Sequence, residues 1–136
     1  MSTIFKKIID KEVPAEIIYE DADFIAFMDI FPIKKGHFLL VPKIEVDKFY
    51  DLPEDIYTKL FLKVKELIQK CEAPLIEKLD IKRVGIAVEG FGVPHAHVHF
   101  IPLHTGQEMN PEKTYKADEA ELREMADFYR KIFMIN

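Results

Sequence analysis

His95-Ala96-His97-Val98-His99-Phe100-Ile101 alternates imidazoles with apolar side chains, and its reading decides the rest of the chain. Successive side chains of an extended strand point to opposite faces. The spacing therefore predicts a strand over residues 95–101, with His95, His97 and His99 on one face and Ala96, Val98 and Phe100 on the other. Packing against a core accounts for the apolar set. It gives no reason for three neighbouring imidazoles on one face, so that face is the candidate site.

Two chemistries fit such a row, and a solvated histidine stripe is the functionless alternative. Imidazole is the commonest zinc ligand, but same-face neighbours on a strand lie about 6.6 Å apart, too far for three rings to share an ion bound at about 2 Å. Two rings could do so with an acid, and Glu89 and Glu108 are close in sequence. The other chemistry is covalent: a neutral imidazole attacks an electrophile such as phosphorus, while its neighbours fix its tautomer and donate protons. Ring pKa values near neutrality let a nucleophile and a donor coexist at one pH.

Outward from the histidines, Glu89-Gly90-Phe91-Gly92-Val93-Pro94 carries glycines suited to a tight turn, and residues 83–88 are expected as the partner strand. Residues 17–20, 24–29 and 38–41 read as further short strands, the first two joined by Asp21-Ala22-Asp23. From Pro53 the period becomes helical: Ile56, Leu60, Val64, Leu67, Ile68 and Cys71 share one face, and Glu54 and Asp55 favour the positive helix end. Pro74 is expected to kink or restart this helix. Ile4, Phe5, Ile8 and Ile9 predict a short N-terminal helix, and residues 105–116 a loop. Asp118 and Glu121, spaced as a capping box, open a last helix with Leu122, Met125, Ala126, Tyr129, Ile132 and Phe133 on one stripe. The fold class is α+β: an antiparallel sheet of about five strands, covered on one side by a long central helix, with a short N-terminal helix and a C-terminal helix.

A chain of 136 residues, 49% hydrophobic with 11 Phe and 5 Tyr, is expected to form a single domain over residues 1–136 and is excluded from the disordered class. The net charge of −5 argues against nucleic acid as a partner. No apolar run approaches the ~20 residues that cross a bilayer, and the N-terminus lacks the order of a secretory signal, so no membrane partner is expected. The single cysteine, Cys71, fits a reducing compartment, and cytoplasm is the expected location. Its place on the apolar helix face marks it as a buried thiol.

The run from His95 to Ile101 resembles the His-φ-His-φ-His-φ-φ motif of the histidine triad (HIT) family, with Val93-Pro94 as a common lead-in. Ile4-Phe5-Lys6-Lys7-Ile8-Ile9, Glu12-Val13-Pro14-Ala15, Tyr19-Glu20-Asp21, Ala26-Phe27-Met28-Asp29-Ile30 and Gly36-His37-Phe38-Leu39-Leu40-Val41-Pro42-Lys43 resemble the remaining signature in order. The likeness covers about residues 4–102, leaving a C-terminal loop and helix over 103–136. It implies the HIT-like fold, normally a homodimer across the main helix and a sheet edge. It also implies a hydrolase or transferase of the adenosine phosphoramidase-like branch, attacking the α-phosphorus of a purine nucleotide through a nucleotidyl-histidine intermediate.

By position, the resemblance makes His97 the nucleophile and has His95 orient it. His99 would bind the phosphate or protonate the leaving group, with His37 behind the triad. Asp29 would hold the ribose hydroxyls, and Phe5, Ile8, Val13, Phe27 and Ile30 would line the base pocket; by themselves these apolar residues are ordinary core. No metal or other cofactor is implied. Thr3, Lys6 and Glu45 stand where some relatives carry two cysteines and a histidine of a zinc site, so no structural zinc is expected. The short Gly90-Phe91-Gly92 turn lacks polar residues of well-studied phosphoramidases, and Phe91 could instead cover the pocket. That departure, echoed by Phe31, motivates an alternative, a nucleotide-sensing or partner-binding protein with little turnover. Lys34, Lys35 and Lys43 could draw phosphate toward His37, although solvated loop lysines are the commoner case, and His104 is expected in a loop.

Overall fold

Short runs rich in β-branched and aromatic residues pair into one antiparallel sheet, because such side chains suit a pleated, half-buried surface. The computed structural model describes residues 2–133; Met1 and residues 134–136 of the expected 1–136 domain lie outside them. The elements in chain order are α1 (Ile4–Ile9), β1 (Ile17–Glu20), β2 (Phe24–Met28), β3 (Phe38–Pro42), α2 (Glu54–Leu79), β4 (Arg83–Ala87), β5 (Val98–Leu103) and α3 (Glu119–Phe133). Single 3₁₀ turns at Phe49–Asp51 and Pro111–Lys113 precede α2 and α3. The strand order is β1-β2-β3-β5-β4, so the α+β class and the five-strand sheet expected from the sequence are present.

The two faces of the sheet have different fates. Phe24, Ala26, Met28, Phe38, Leu40, Val98 and Phe100 point to the side covered by α2 and α3, where Leu60, Leu67, Leu75, Met125 and Tyr129 complete the main core. Phe38 and Phe100, opposed in the β3–β5 register, stack with ring centroids 4.4 Å apart. Burying each such side chain contributes about 2–3 kcal/mol. Ile25, Phe27, Leu39 and Val41 point the other way, where α1 lays Phe5 and Ile8 over them. Thr3 caps α1 by accepting the Lys6 N–H at 3.1 Å. This second face is only partly roofed, and it carries the histidines.

Two elements differ from the sequence reading by more than a residue. The helix runs without a break through Pro74 to Leu79. Pro74 frees the carbonyl of Lys70, which lies on an exposed turn where water can satisfy it, while fully buried Cys71 and Leu75 hold both sides of the proline in the core. Asp80, with φ at 56°, then ends the helix in the left-handed conformation. The histidine strand begins at Val98, three residues later than expected, and extends to Leu103. The segment at 105–116 is a built loop: the Glu108 carboxylate accepts the N–H groups of His104, Thr105 and Gly106, and Tyr115 N–H reaches Pro32 O at 3.1 Å.

Candidate active site

His95 and His97 keep their face although no ladder pairs them. Ala96 N–H donates to Val46 O at 2.7 Å, and the His95 ring bonds Pro42 O at 2.8 Å, so the chain entering β5 is held against the end of β3. The result is a row of rings. Phe5 meets His97 edge-on at 4.9 Å between centroids, His97 meets His99 at 5.0 Å, and His99 meets His37 at 5.1 Å. His37 joins the row through register, since Leu39 lies opposite His99 and His37 is two residues earlier on the same face.

Backbone partners fix most of the tautomers. Pro42 O can only accept, so His95 carries its proton on Nε2 and offers Nδ1 to the Thr3 hydroxyl, 3.3 Å away. His95 O likewise accepts from His97 Nδ1 at 2.6 Å, leaving an unprotonated lone pair on His97 Nε2. Ile33 N–H donates to His37 Nδ1 at 3.0 Å. His37 Nε2–H therefore donates to His99 Nδ1 at 2.9 Å, and the remaining proton of His99 sits on Nε2. One row thus presents a free lone pair beside a free N–H.

Burial holds His37, His97 and His99 neutral. It pushes His37 down to about 3, with the neighbouring His99 adding to the effect, and His99 down to about 4, with His97 adding. His97 also lies below the ordinary imidazole range, burial again outweighing its bond to His95 O. Asp29 moves the opposite way: burial raises its carboxyl to about 6 against the opposing Phe31 N–H bond. Its Oδ2 lies 3.5 Å from His37 Nε2 and 4.0 Å from His99 Nδ1.

The expected pocket residues come together. A cavity of about 420 Å³ is lined by Phe5, Ile8, Val13, Phe27 and Ile30 together with Asp29, His97 and His99. Ile30 is 54% exposed and stands at the mouth. Phe91 does not cover this cavity: it is 91% exposed and lines a groove beside Tyr50 that also reaches His97. The lysines do not converge on His37 either. Lys34 donates to His104, Lys35 pairs with Glu124, and Lys43 pairs with Glu20. Sequence reasoning passed over Thr3 and Ile33 as ring-orienting groups. Thr3 was legible as a helix cap; the Ile33 amide carries no sequence signal.

Among the described residues, two sets have donor atoms close enough for a metal ion: Asp29 with His37 and His99, and Glu89 with His97 and His99, all atoms of each set within 4.8 Å. Neither uses all three triad histidines, as the strand spacing requires. Glu108, the other acid considered from sequence, is committed to its own loop.

The family model described as HIT domain matches residues 10–106. An uncharacterized HIT-like protein of Methanocaldococcus jannaschii is 37% identical over 103 residues, covering 76% of this chain and 80% of that protein. An adenosine 5'-monophosphoramidase of Schizosaccharomyces pombe is 32% identical over 102 residues, covering 75% of this chain and 74% of its own. Among solved structures, a HIT-like protein of Bartonella henselae involved in cell-cycle regulation superposes with a TM-score of 0.80 at 28% identity, over 97% of this chain and 96% of the other.

Proposed function

The chain belongs to the HIT-domain family, and from that premise we propose that it hydrolyses, or transfers the nucleotidyl group of, a purine nucleoside phosphoramidate or a related nucleotide through a covalent intermediate on His97. The observation that carries this reading is the bond from His97 Nδ1 to His95 O, which leaves the Nε2 lone pair unprotonated on a ring that lines the cavity with Asp29 and His99. The named activity of the yeast relative is consistent with it.

In the proposed reaction the base lies among Phe5, Ile8, Val13, Phe27 and Ile30, and Asp29 accepts a ribose hydroxyl on the oxygen that already takes Phe31 N–H. His97 Nε2 attacks the α-phosphorus. The P–N bond breaks, its electron pair stays on nitrogen, and His99 Nε2–H protonates the departing amine. His99 Nδ1 is refilled by the His37 Nε2 proton across their 2.9 Å bond, and His37 Nε2 in turn by the protonated Asp29 carboxyl, whose Oδ2 lies 3.5 Å away. Water then attacks the nucleotidyl-histidine, its proton returns by the same groups to Asp29, and His97 is released neutral. His95 and His37 position the rings, and no metal or cofactor enters the scheme.

A homodimer is part of the proposal, across α2, which leaves Tyr57 and Leu62 exposed, and a sheet edge. A cytoplasmic setting is argued from the buried, unpaired Cys71, whose thiol burial pushes up to about 12. Among the described residues no helix is long and apolar enough to cross a membrane.

The test is release of nucleoside monophosphate from an adenosine phosphoramidate. His97→Ala should lower the rate by several orders of magnitude, on the order of 10³-fold or more. Equal rates for the two proteins would refute the nucleophile. Tight nucleotide binding without product would favour the sensing alternative.

A further inference from the structure

A cavity of about 430 Å³ lies outside the histidine row, where the end of α2 meets the turn after β5. Ile33, Leu79, Ile81 and the Tyr115 ring supply its apolar walls, and Lys34, Lys35 and His104 its polar ones. Both lysines are half-buried, and no carboxylate is among the lining residues. In a chain of net charge −5 this is a local positive basin.

The hydrogen bonds leave these cations short of anionic partners. Leu79 O can only accept, so His104 carries its proton on Nε2, 3.3 Å away, and its Nδ1 accepts from Lys34 Nζ at 3.1 Å. That neutral ring is the partner of Lys34, which makes no ion pair among the described residues. Lys35 Nζ reaches Glu124 at 3.1 Å, but Glu124 also pairs with Lys78 at 3.0 Å, so one carboxylate serves two ammonium groups. The acids nearest the rim are engaged elsewhere. Glu108, whose Oε2 is 3.4 Å from His104 Nδ1, accepts the amides of residues 104–106, and Glu121 accepts the Tyr115 hydroxyl at 2.6 Å. The negative end of α2 is masked as well, since Asp80 N–H takes Ile76 O at 2.9 Å and His104 takes Leu79 O.

We propose that this cavity binds a phosphate monoester carrying a planar apolar ring, at a site separate from the histidine row and independent of the role of His97. A dianion matches two lysines that keep spare N–H groups, and hydrogen bonds between charged partners are roughly twice as strong as neutral ones. The ring lies against Leu79, Ile81 and Tyr115 and displaces water from them. The volume suffices, since an apolar cavity of about 150 Å³ accepts benzene and the remainder holds the phosphate.

The walls are ordered beforehand. Ile81 is buried, Leu79 ends α2, and Tyr115 N–H is held by Pro32 O at 3.1 Å. Filling walls of this kind costs little ordering. The site also touches the segment that steers His37: Ile33 N–H donates to His37 Nδ1 at 3.0 Å, and His37 N–H donates to Lys34 O at 3.1 Å. The Ile33 and His37 amides therefore report occupancy from beside the ligand.

The experiment titrates phenyl phosphate, inorganic phosphate and benzyl alcohol into the isotope-labelled full chain at about pH 8, above the second phosphate pKa of about 6, and follows the amide resonances by NMR. Phenyl phosphate should shift Lys34, Lys35, Ile81, His104 and Tyr115 saturably, with Ile33 and His37 following the same curve. Inorganic phosphate should bind about tenfold more weakly for want of the ring, and benzyl alcohol should not saturate the site. Lys34→Gln should weaken phenyl phosphate by about tenfold, as loss of a charged hydrogen bond does. Lys43→Gln, which removes the same charge where Lys43 pairs with Glu20, should leave the affinity unchanged. Shifts confined to the residues around His97 and His99 would place the ester in the histidine row and overturn the inference. Binding of benzyl alcohol or inorganic phosphate as tight as that of the ester, or an affinity unmoved by Lys34→Gln, would overturn it equally. None of these results bears on His97, whose own test is nucleotide release.

Discussion

Replacing His37 by glutamine should make the protein less sensitive to acid. The unfolded chain binds a proton on His37 near the ordinary 6.5, whereas burial holds the folded ring down to about 3. Between those values the unfolded state carries more protons than the folded one, so stability is intact above about pH 6.5 and falls as the pH drops below it. At pH 4 the gap is about 2.5 pH units, or about 3 kcal/mol lost from this one ring. Glutamine keeps an oxygen for the Ile33 amide and an N–H for His99 Nδ1 but does not titrate. Urea unfolding, followed by far-ultraviolet circular dichroism at several pH values from 7 to 4, gives the two stability curves. His37→Gln will differ from the wild type in absolute stability, so the quantity to compare is the slope. The wild type should lose about 3 kcal/mol more than the variant across this range. Parallel curves would mean that His37 is not held neutral by burial, and the tautomer chain from Ile33 to His99 would fail with it.

Other outcomes follow from the same contacts. Tyr129→Phe removes the buried 2.6 Å bond to Gly36 O beside His37 and should lower stability by about 1–3 kcal/mol, read as a lower urea midpoint. With an amine leaving group, kcat/KM should fall as the pH rises through about 6, where Asp29 loses the proton that refills His99 through His37; an alkaline limb unchanged in Asp29→Asn would discard that role. Treatment with a chelator should leave the phosphoramidase rate unchanged. Loss of activity restored by a divalent ion would instead assign the work to one of the two carboxylate–histidine sets.

Much of the site was legible because two periods coincide with chemistry. The period of two at the histidine run put three imidazoles on the face opposite Val98 and Phe100, and those two residues are fully buried beneath α2 and α3. The helical period that grouped Leu60, Val64, Leu67 and Cys71 named the core side of α2 equally well. What escaped depends on contacts distant in sequence. Pro74 was expected to interrupt α2, but local propensity loses to the anchoring of Leu75, while Lys70, whose carbonyl the proline frees, sits on an exposed turn. The late start of β5 arises because Ala96 bonds Val46 instead of a strand partner. Nothing local to Met109, Pro111 or Thr114 marks a wall beside His99, since their place is set by the Glu108 turn and by pairing with residues 30–32. Asp29 could be matched to the ribose by position. Its nearness to His37 and His99 required the register of β2, β3 and β5 together.

The central claim is tested most directly by locating the covalent intermediate. The protein is mixed with adenosine phosphoramidate, quenched in alkali during turnover, digested and sequenced by mass spectrometry. An adenylyl group on His97, formed and consumed at the turnover rate and missing from His97→Ala, is the predicted result. An adduct on His95 or His99, or product formation with no adduct on the histidine run, would contradict the account.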